Sequence, residues 1–218
     1  MIRILIVDDH AILRAGLKHI LAESVDIVVA GEAGNGLEAL AKIRAEKWDA
    51  VVLDMTMPGK SGIELIKQIK SEKPKLPILV LSMHNEDIYA VRTLKAGASG
   101  YLCKDNAEPQ LEQAIRKVAG GGLFINPAVA EKLAVGMLAP TADAPPHTRL
   151  SDREYQIFEH IVGGKGVTDI ANELNLSVKT VSSYKTRVMQ KMNLTNAAEL
   201  VRYAVRHGLI DEENGLPD

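Results

Sequence analysis

IRILIVDD, residues 2–9, is the stretch from which the fold is read. An apolar run of strand length, broken only by Arg3, ends in two adjacent carboxylates, Asp8 and Asp9. Three later runs repeat that form: AVVLD (50–54) ends in Asp54, PILVLS (77–82) in Ser82, and SGYLCK (99–104) in Lys104. A further strand-like run, IVVAGEA, occupies 27–33. Helical periodicity fills the intervals, in AILRAGLKHILAE (11–23), GLEALAKIRAE (36–46), GIELIKQIKSE (62–72), EDIYAVRTLKAG (86–97) and PQLEQAIRKVAGG (109–121). Strict alternation of short strands and helices predicts a parallel α/β sheet covered on both faces. Open sheets of this kind bind ligands beyond the carboxyl ends of their strands. The polar groups that end these runs are therefore predicted to meet at one edge.

Composition agrees with an ordinary globular chain of one or two domains: 218 residues, 46% hydrophobic and 25% charged. Aromatic residues make up only 4%, so the core is expected to be aliphatic. No apolar stretch reaches the ~18 residues of a membrane span. The N-terminal run is too short for a secretory segment and leads straight into acids. A single cysteine, Cys103, excludes an internal disulfide framework and fits a reducing cytoplasm. The net charge of −2 hides an asymmetry. Residues 1–120 carry 16 basic and 16 acidic side chains, whereas 148–210 carry 9 and 6. A modestly basic C-terminal part permits nucleic-acid binding without requiring it.

Three carboxylates, a hydroxyl and an ammonium at one sheet edge suit a divalent cation with a phosphoryl acceptor. A carboxylate accepts a phosphoryl group when a metal offsets the incoming charge and fixed cations hold the transferring oxygens. Asp54 precedes MTMPGKSG, a Pro/Gly loop that exposes its side chain, and is the expected acceptor. Asp8, Asp9 and Asp54, with a backbone carbonyl at Thr56, are the expected ligands of Mg²⁺, a cation that takes few protein oxygens and keeps waters. Lys104 is expected to contact the phosphoryl group as a point charge, and Ser82 to donate a hydrogen bond to it.

Gly120–Gly122 stops the last helix of this half. Residues 121–147 read as a linker, with a possible short helix in FINPAVAEKLAVGML and an extended stretch in APTADAPPHT. From 148 onward only helical patterns occur: SDREYQIFEHIVGG, VTDIANELN, SVKTVSSYKTRVMQKM and NAAELVRYAVRHG. Ser151 and Glu154 have capping-box spacing, and Ser177 is the expected N-cap of the third helix. Residues 167–192 read as helix, turn, helix. In the second of those helices Val181, Tyr184, Val188 and Met192 are expected to face the core. Lys179, Thr180, Ser182, Ser183, Lys185, Thr186 and Arg187 supply the short polar and basic groups that a helix entering the major groove uses.

Asp8-Asp9, the string Asp54-Met-Thr-Met-Pro58 with Gly62, Ser82, Ala98, Tyr101 and Lys104 together resemble a two-component receiver domain over about residues 1–120. The resemblance implies a flavodoxin-like (βα)5 fold with sheet order 2-1-3-4-5, Mg²⁺-dependent phosphorylation of Asp54 and a sensor histidine kinase as donor. It further implies that Ser82 moves toward the phosphate while Tyr101 turns inward behind it. Thr56 and His84 occupy positions that tune phosphate lifetime in receivers, and Asp105 stands where many receivers have Pro. Leu150-Ser151, Arg153-Glu154, Ile170-Ala171, Leu174, Ser177, Thr180-Val181, Lys191-Met192 and Gly208-Leu209-Ile210 are similar to the LuxR-type four-helix DNA-binding domain. Many relatives have Lys at position 182, His at 184 and Ser-Asn at 166–167, where this chain has Ser, Tyr and Gly-Val.

The combination resembles the NarL/FixJ class of response regulators. It implies a receiver over 1–120, a linker over 121–147, an all-α helix-turn-helix domain over 148–211 and an acidic tail over 212–218. The implied partners are a sensor histidine kinase, double-stranded promoter DNA, RNA polymerase and a second copy of the chain on phosphorylation, with no membrane. The protein is expected to be a transcription regulator and not an enzyme. A phosphatase of the haloacid-dehalogenase type would need an acid two residues after Asp54, where Thr56 stands. An acyl-homoserine-lactone sensor would lack the acid cluster. The remaining alternative is an orphan regulator whose DNA binding answers to a partner or ligand.

Overall fold

The structure is a computed structural model that describes residues 1–210 apart from 56, 58–61, 83–86, 105–106, 108 and 139–144. The chain divides into two compact units, Met1–Leu138 and Ala139–Asp218.

In the first unit β1 (Ile2–Val7), β2 (Ile27–Ala33), β3 (Ala50–Asp54), β4 (Ile78–Ser82) and β5 (Gly100–Cys103) form one parallel sheet in the order β2-β1-β3-β4-β5. They alternate with α1 (Ala11–Ala22), α2 (Gly36–Ala45), α3 (Gly62–Glu72), α4 (Asp87–Lys95) and α5 (Leu111–Ala119). Successive side chains of a strand point to opposite faces, so each strand feeds two cores. Leu5, Val7, Val51, Leu53, Ile78 and Val80 join residues of α2 and α3 in one cluster. Ile4, Ile6, Ala50, Val52, Leu79 and Leu81 join Leu17 and Leu21 of α1 and Leu111, Ala114, Ile115 and Val118 of α5 in the other. Both clusters are mainly aliphatic, as the composition predicts; Trp48 and Tyr101 are the aromatic residues buried in them, and the Trp48 ring lies so close to Gly31 that a Cβ there would stand 2.6 Å from it.

Strand register decides what the carboxyl edge carries. Val7 pairs with Leu53, so Asp8 and Asp54 leave neighbouring strands at the same level. Asp54 pairs with Leu81 and Ser82 with Cys103, which sets Ser82 one step and Lys104 two steps further out. The strand order reverses between β1 and β3, and that reversal opens the crevice in which the acids stand.

The segment expected to be linker begins with packing on this unit. Phe124 N–H donates to Ser99 C=O (3.0 Å), and Tyr101 N–H donates to Phe124 C=O (2.9 Å), which ties the segment to β5. Gly100 permits that approach, since a Cβ there would lie 3.0 Å from the Phe124 carbonyl. Asn126 then caps α6 (Pro127–Leu138), its side chain accepting from Val129 N–H at 2.7 Å. Val129 is 2% exposed and shares a core cluster with Ala90 of α4, Ala98 and Tyr101.

The second unit is helical throughout its described residues. A 3-10 turn (Pro146–Arg149) precedes α7 (Asp152–Val162), α8 (Val167–Glu173), α9 (Val178–Met192) and α10 (Ala197–Arg206). The capping box at Ser151 and Glu154 is present, and Ser177 caps α9 by accepting from Thr180 N–H at 3.0 Å. Gly166 offers α8 no side-chain cap, and that helix is 7 residues long. Asn175 (φ 52°) turns the chain between α8 and α9, and Asn193 (φ 54°) ends α9 in the left-handed region that Asn tolerates. Tyr155, Phe158, Ile170, Val181, Val188, Leu200 and Ala204 make the core. Buried His147 shares a 2.7 Å hydrogen bond with Tyr203 of α10.

Candidate functional site

At the carboxyl edge the Lys104 ammonium lies 3.0 Å from Asp8 Oδ2 and 2.9 Å from Asp54 Oδ1. All three groups are shielded, with the Lys104 side chain 8% exposed. The other oxygen of Asp8 accepts from His10 N–H at 2.7 Å, and its backbone carbonyl accepts from Arg14 at 2.6 Å. Asp8 is thereby fixed in orientation. Asp9 differs: its Oδ1 is out of contact with solvent and accepts no hydrogen bond. His10 Nδ1 lies 3.0 Å from that oxygen, close enough for attraction but outside hydrogen-bond geometry. A shielded carboxylate oxygen without a donor is costly, and a cation is one way to satisfy it.

Ligand atoms of Asp8, Asp9, His10 and Asp54 all lie within 4.8 Å of one another. Three carboxylates in that space fit a hard cation such as Mg²⁺, which prefers oxygen donors. His10 was not among the sequence candidates. It precedes α1 with no capping bond of its own and with its ring largely exposed, at the rim of the acids. Its position directly after Asp8-Asp9 was the only sequence signal for it.

Ser82 is fully buried at the end of β4, and Tyr101 is 9% exposed on β5 within the cluster that includes Val129. Its ring is therefore already buried in this structure. Thr56, His84 and Asp105, each singled out from the sequence, lie outside the described residues.

Along α9 the charges are arranged differently. The helix contains no acid, and no ion pair among the described residues engages Lys179, Lys185 or Arg187. Lys179, Ser182, Ser183, Thr186 and Arg187 are exposed, while Thr180 and Lys185 are partly covered. Not every hydroxyl is available outward. Ser183 donates to Lys179 C=O at 2.9 Å and Thr186 to Ser182 C=O at 3.0 Å, while Ser177 and Thr180 share a 2.7 Å bond. Lys191, in the last turn, instead pairs at 2.6 Å with Glu154, which is 4% exposed. Burial pushes the Glu154 carboxyl up, but the bonds from Lys191 and Ser151 outweigh it and hold the group below the ordinary carboxylate range.

One expectation is corrected here. Val181, Val188 and Met192 are buried as predicted, but Tyr184 is not. It stands at the margin of the apolar stripe, where a phenol can keep one face on the helix and the other open. With Ser177, Lys179, Thr180, Ser183 and Arg187 it lines a shallow cleft of about 290 Å³.

Comparison with known proteins assigns both units. Residues 4–116 match the response regulator receiver domain family, and residues 148–204 match the luxR family of bacterial regulatory proteins. The chain is 39% identical over 213 residues to the response regulator UvrY of Escherichia coli O6:H1, covering 98% of each. It is 38% identical over 211 residues to the response regulator GacA of Pseudomonas viridiflava, covering 97% of this chain and 99% of that one. RcsB of Salmonella enterica serovar Typhimurium, solved bound to the promoter rprA in the presence of the phosphomimetic BeF3−, is similar in structure. The TM-score is 0.67 at 29% identity, covering 94% of this chain and 99% of RcsB. The described residues hold no helix long and apolar enough to cross a membrane. A parallel receiver sheet with acids at its carboxyl edge, followed by a luxR-type helix-turn-helix, makes this chain a DNA-binding response regulator of the NarL/FixJ class.

Proposed function

We propose that Asp54 accepts a phosphoryl group from the phosphohistidine of a sensor kinase and that this modification switches promoter binding by α9. The observation that carries the reading is the junction of Lys104 with Asp8 and Asp54 beside the orphaned Asp9 oxygen. A cation shared by two carboxylates is matched to a site whose charge changes. When phosphate is attached at Asp54, the ammonium can exchange a carboxylate oxygen for phosphoryl oxygens without crossing solvent. Asp8, Asp9 and Asp54, with the Thr56 carbonyl, would hold Mg²⁺, which when bound offsets the negative charge of the transferring group. Ser82 is the candidate hydroxyl donor to the new phosphate.

From the pocket the signal would pass through Ser82 and Tyr101 toward α4 and β5. Moving a population from 1:99 to 99:1 takes about 5.5 kcal/mol of differential stabilisation, and charge-assisted hydrogen bonds to one phosphoryl group supply part of that. The output is assigned to 148–211, with Lys179, Thr180, Ser182, Ser183, Lys185, Thr186 and Arg187 as the surface offered to duplex DNA. Lys179, Lys185 and Arg187, which no ion pair among the described residues engages, support this assignment, as does the promoter complex of RcsB. The reading includes a cytoplasmic protein that dimerises on phosphorylation and engages RNA polymerase at the promoter. It treats 1–120 as the receiver, 121–147 as the connection and 212–218 as an acidic tail.

The test is intact-protein mass after incubation with Mg²⁺ and either acetyl phosphate or a phosphorylated histidine kinase. One added phosphoryl group in the wild type, absent in Asp54→Asn and abolished by EDTA, is the expected result. An adduct that persists in Asp54→Asn would place the acceptor elsewhere. No adduct from either donor would favour control by a partner or ligand.

A further inference from the structure

Arg187 does not stand free in solvent: its guanidinium carbon lies 5.6 Å from the centre of the Tyr184 ring, one helical turn earlier on the same face. A guanidinium resting on an aromatic face keeps its N–H edges open in its own plane. Those edges are what grip two phosphate oxygens at once. The cleft beside the pair contains a second cation, Lys179, and is bordered by Ser177, Thr180 and Ser183. The hydroxyls of those three residues are occupied with one another or with the helix backbone. The charged groups of the cleft are Lys179 and Arg187, and no ion pair among the described residues competes for either.

Resting on the reading of α9 as the DNA-binding helix, we propose that Tyr184 is a positioning residue that stacks Arg187 in place to receive a backbone phosphate of duplex DNA in this cleft. The occupant is a phosphodiester rather than a base edge, because the two charged groups of the cleft are both cations and only the phosphodiester carries the opposite charge. An exposed arginine has many rotamers to lose on binding, and one held over a ring has already lost part of them. Aliphatic side chains at 184 would leave Arg187 charged but unguided. A lysine at 187 would keep the charge without the planar fork.

The experiment is a double-mutant cycle on the full chain in Mg²⁺ and beryllofluoride, reading affinity for a mixed-sequence DNA duplex by fluorescence anisotropy across a salt series. Arg187→Gln is expected to lower the salt slope by about 0.9, the value for one phosphate contact. Tyr184→Leu is expected to weaken binding about three- to five-fold when Arg187 is present and not at all in the Arg187→Gln background. Tyr184→Phe, which keeps the ring, is expected to bind as the wild type does. Thermal melting of each variant checks folding. Equal losses from Tyr184→Leu in both backgrounds would show that Tyr184 only supports the helix and would overturn the proposal, leaving DNA binding intact. A salt slope unchanged in Arg187→Gln would overturn it too. A wild-type chain that fails to bind DNA at low salt would overturn both the proposal and the DNA-binding reading beneath it.

Discussion

Lys104 in the receiver and Arg187 on α9 are both cations, and their surroundings differ in every respect. Lys104 is shielded and shared at about hydrogen-bond distance by two carboxylates. Arg187 is exposed, on a helix with no acid, and rests on an aromatic ring. A shielded charge is tolerated only when paired, and Lys104 offsets part of the carboxylate charge of the pocket; on the proposed reading a small group enters and redistributes that pairing. An exposed, unpaired charge is cheap to maintain and acts at a distance that salt controls. On the proposed reading one region serves a single covalent event, the other a polyanion met by diffusion.

The largest expected effect comes from removing the acceptor. Asp54→Asn is predicted to abolish the mass adduct and to leave DNA affinity unresponsive to acetyl phosphate, which would break the link between the two regions. Next is Lys104→Met, which strands Asp8 and Asp54 beside each other without their cation. The expected cost is about 3 kcal/mol at neutral pH in urea denaturation, since removing one partner of a shielded pair leaves the other uncompensated. Mg²⁺ is predicted to restore more stability to this variant than to the wild type. No loss on Lys104→Met would mean that the junction contributes nothing to the folded state.

Two substitutions within α9 sharpen the comparison at smaller scale. Arg187→Gln should lower the salt slope of DNA binding, whereas Lys191→Gln should leave it unchanged, because Lys191 is already committed to Glu154. Lys191→Gln should instead cost about 1 kcal/mol of stability in the second unit, as its side chain is partly exposed.

The smallest expected effect is acid sensitivity from Glu154. Burial raises its carboxyl pKa, but the Lys191 and Ser151 bonds more than offset this and leave it lowered when folded. A lowered folded value means that the unfolded chain takes up the proton first. The stabilisation is therefore present above the ordinary glutamate value of ~4.3 and is lost as pH falls below it. Thermal melting of Glu154→Gln against pH should show a shallower acid limb than the wild type.

The sheet and its edge were legible because four of its five strand runs are short, apolar and ended by the group that matters. The register that levels Asp8 with Asp54 follows from equal strand ends, and the pattern of β1, β3, β4 and β5 carries that information. The packing of 124–138 on the first unit was not legible. Its residues are apolar but lie in a stretch bounded by glycines and prolines, and nothing local announces that Phe124 will pair with β5 or that Val129 will be buried. Helical spacing alone assigned Tyr184 to the core. Spacing gives an angle around the helix and not the depth of the neighbouring helix, and a residue at the stripe's margin falls to either side. Lys104 was expected to meet a phosphoryl group; the sequence could not show that it spends the interval bridging two acids.

The central prediction is coupling between Asp54 and α9. The direct measurement is the affinity of the full chain for a duplex selected by the wild-type protein from random sequence, with Mg²⁺ and with or without beryllofluoride. Wild type is predicted to tighten at least about ten-fold, which is about 1.4 kcal/mol of coupling, and Asp54→Asn not to respond. Equal affinity in both conditions, or an equal gain in Asp54→Asn, would contradict the account.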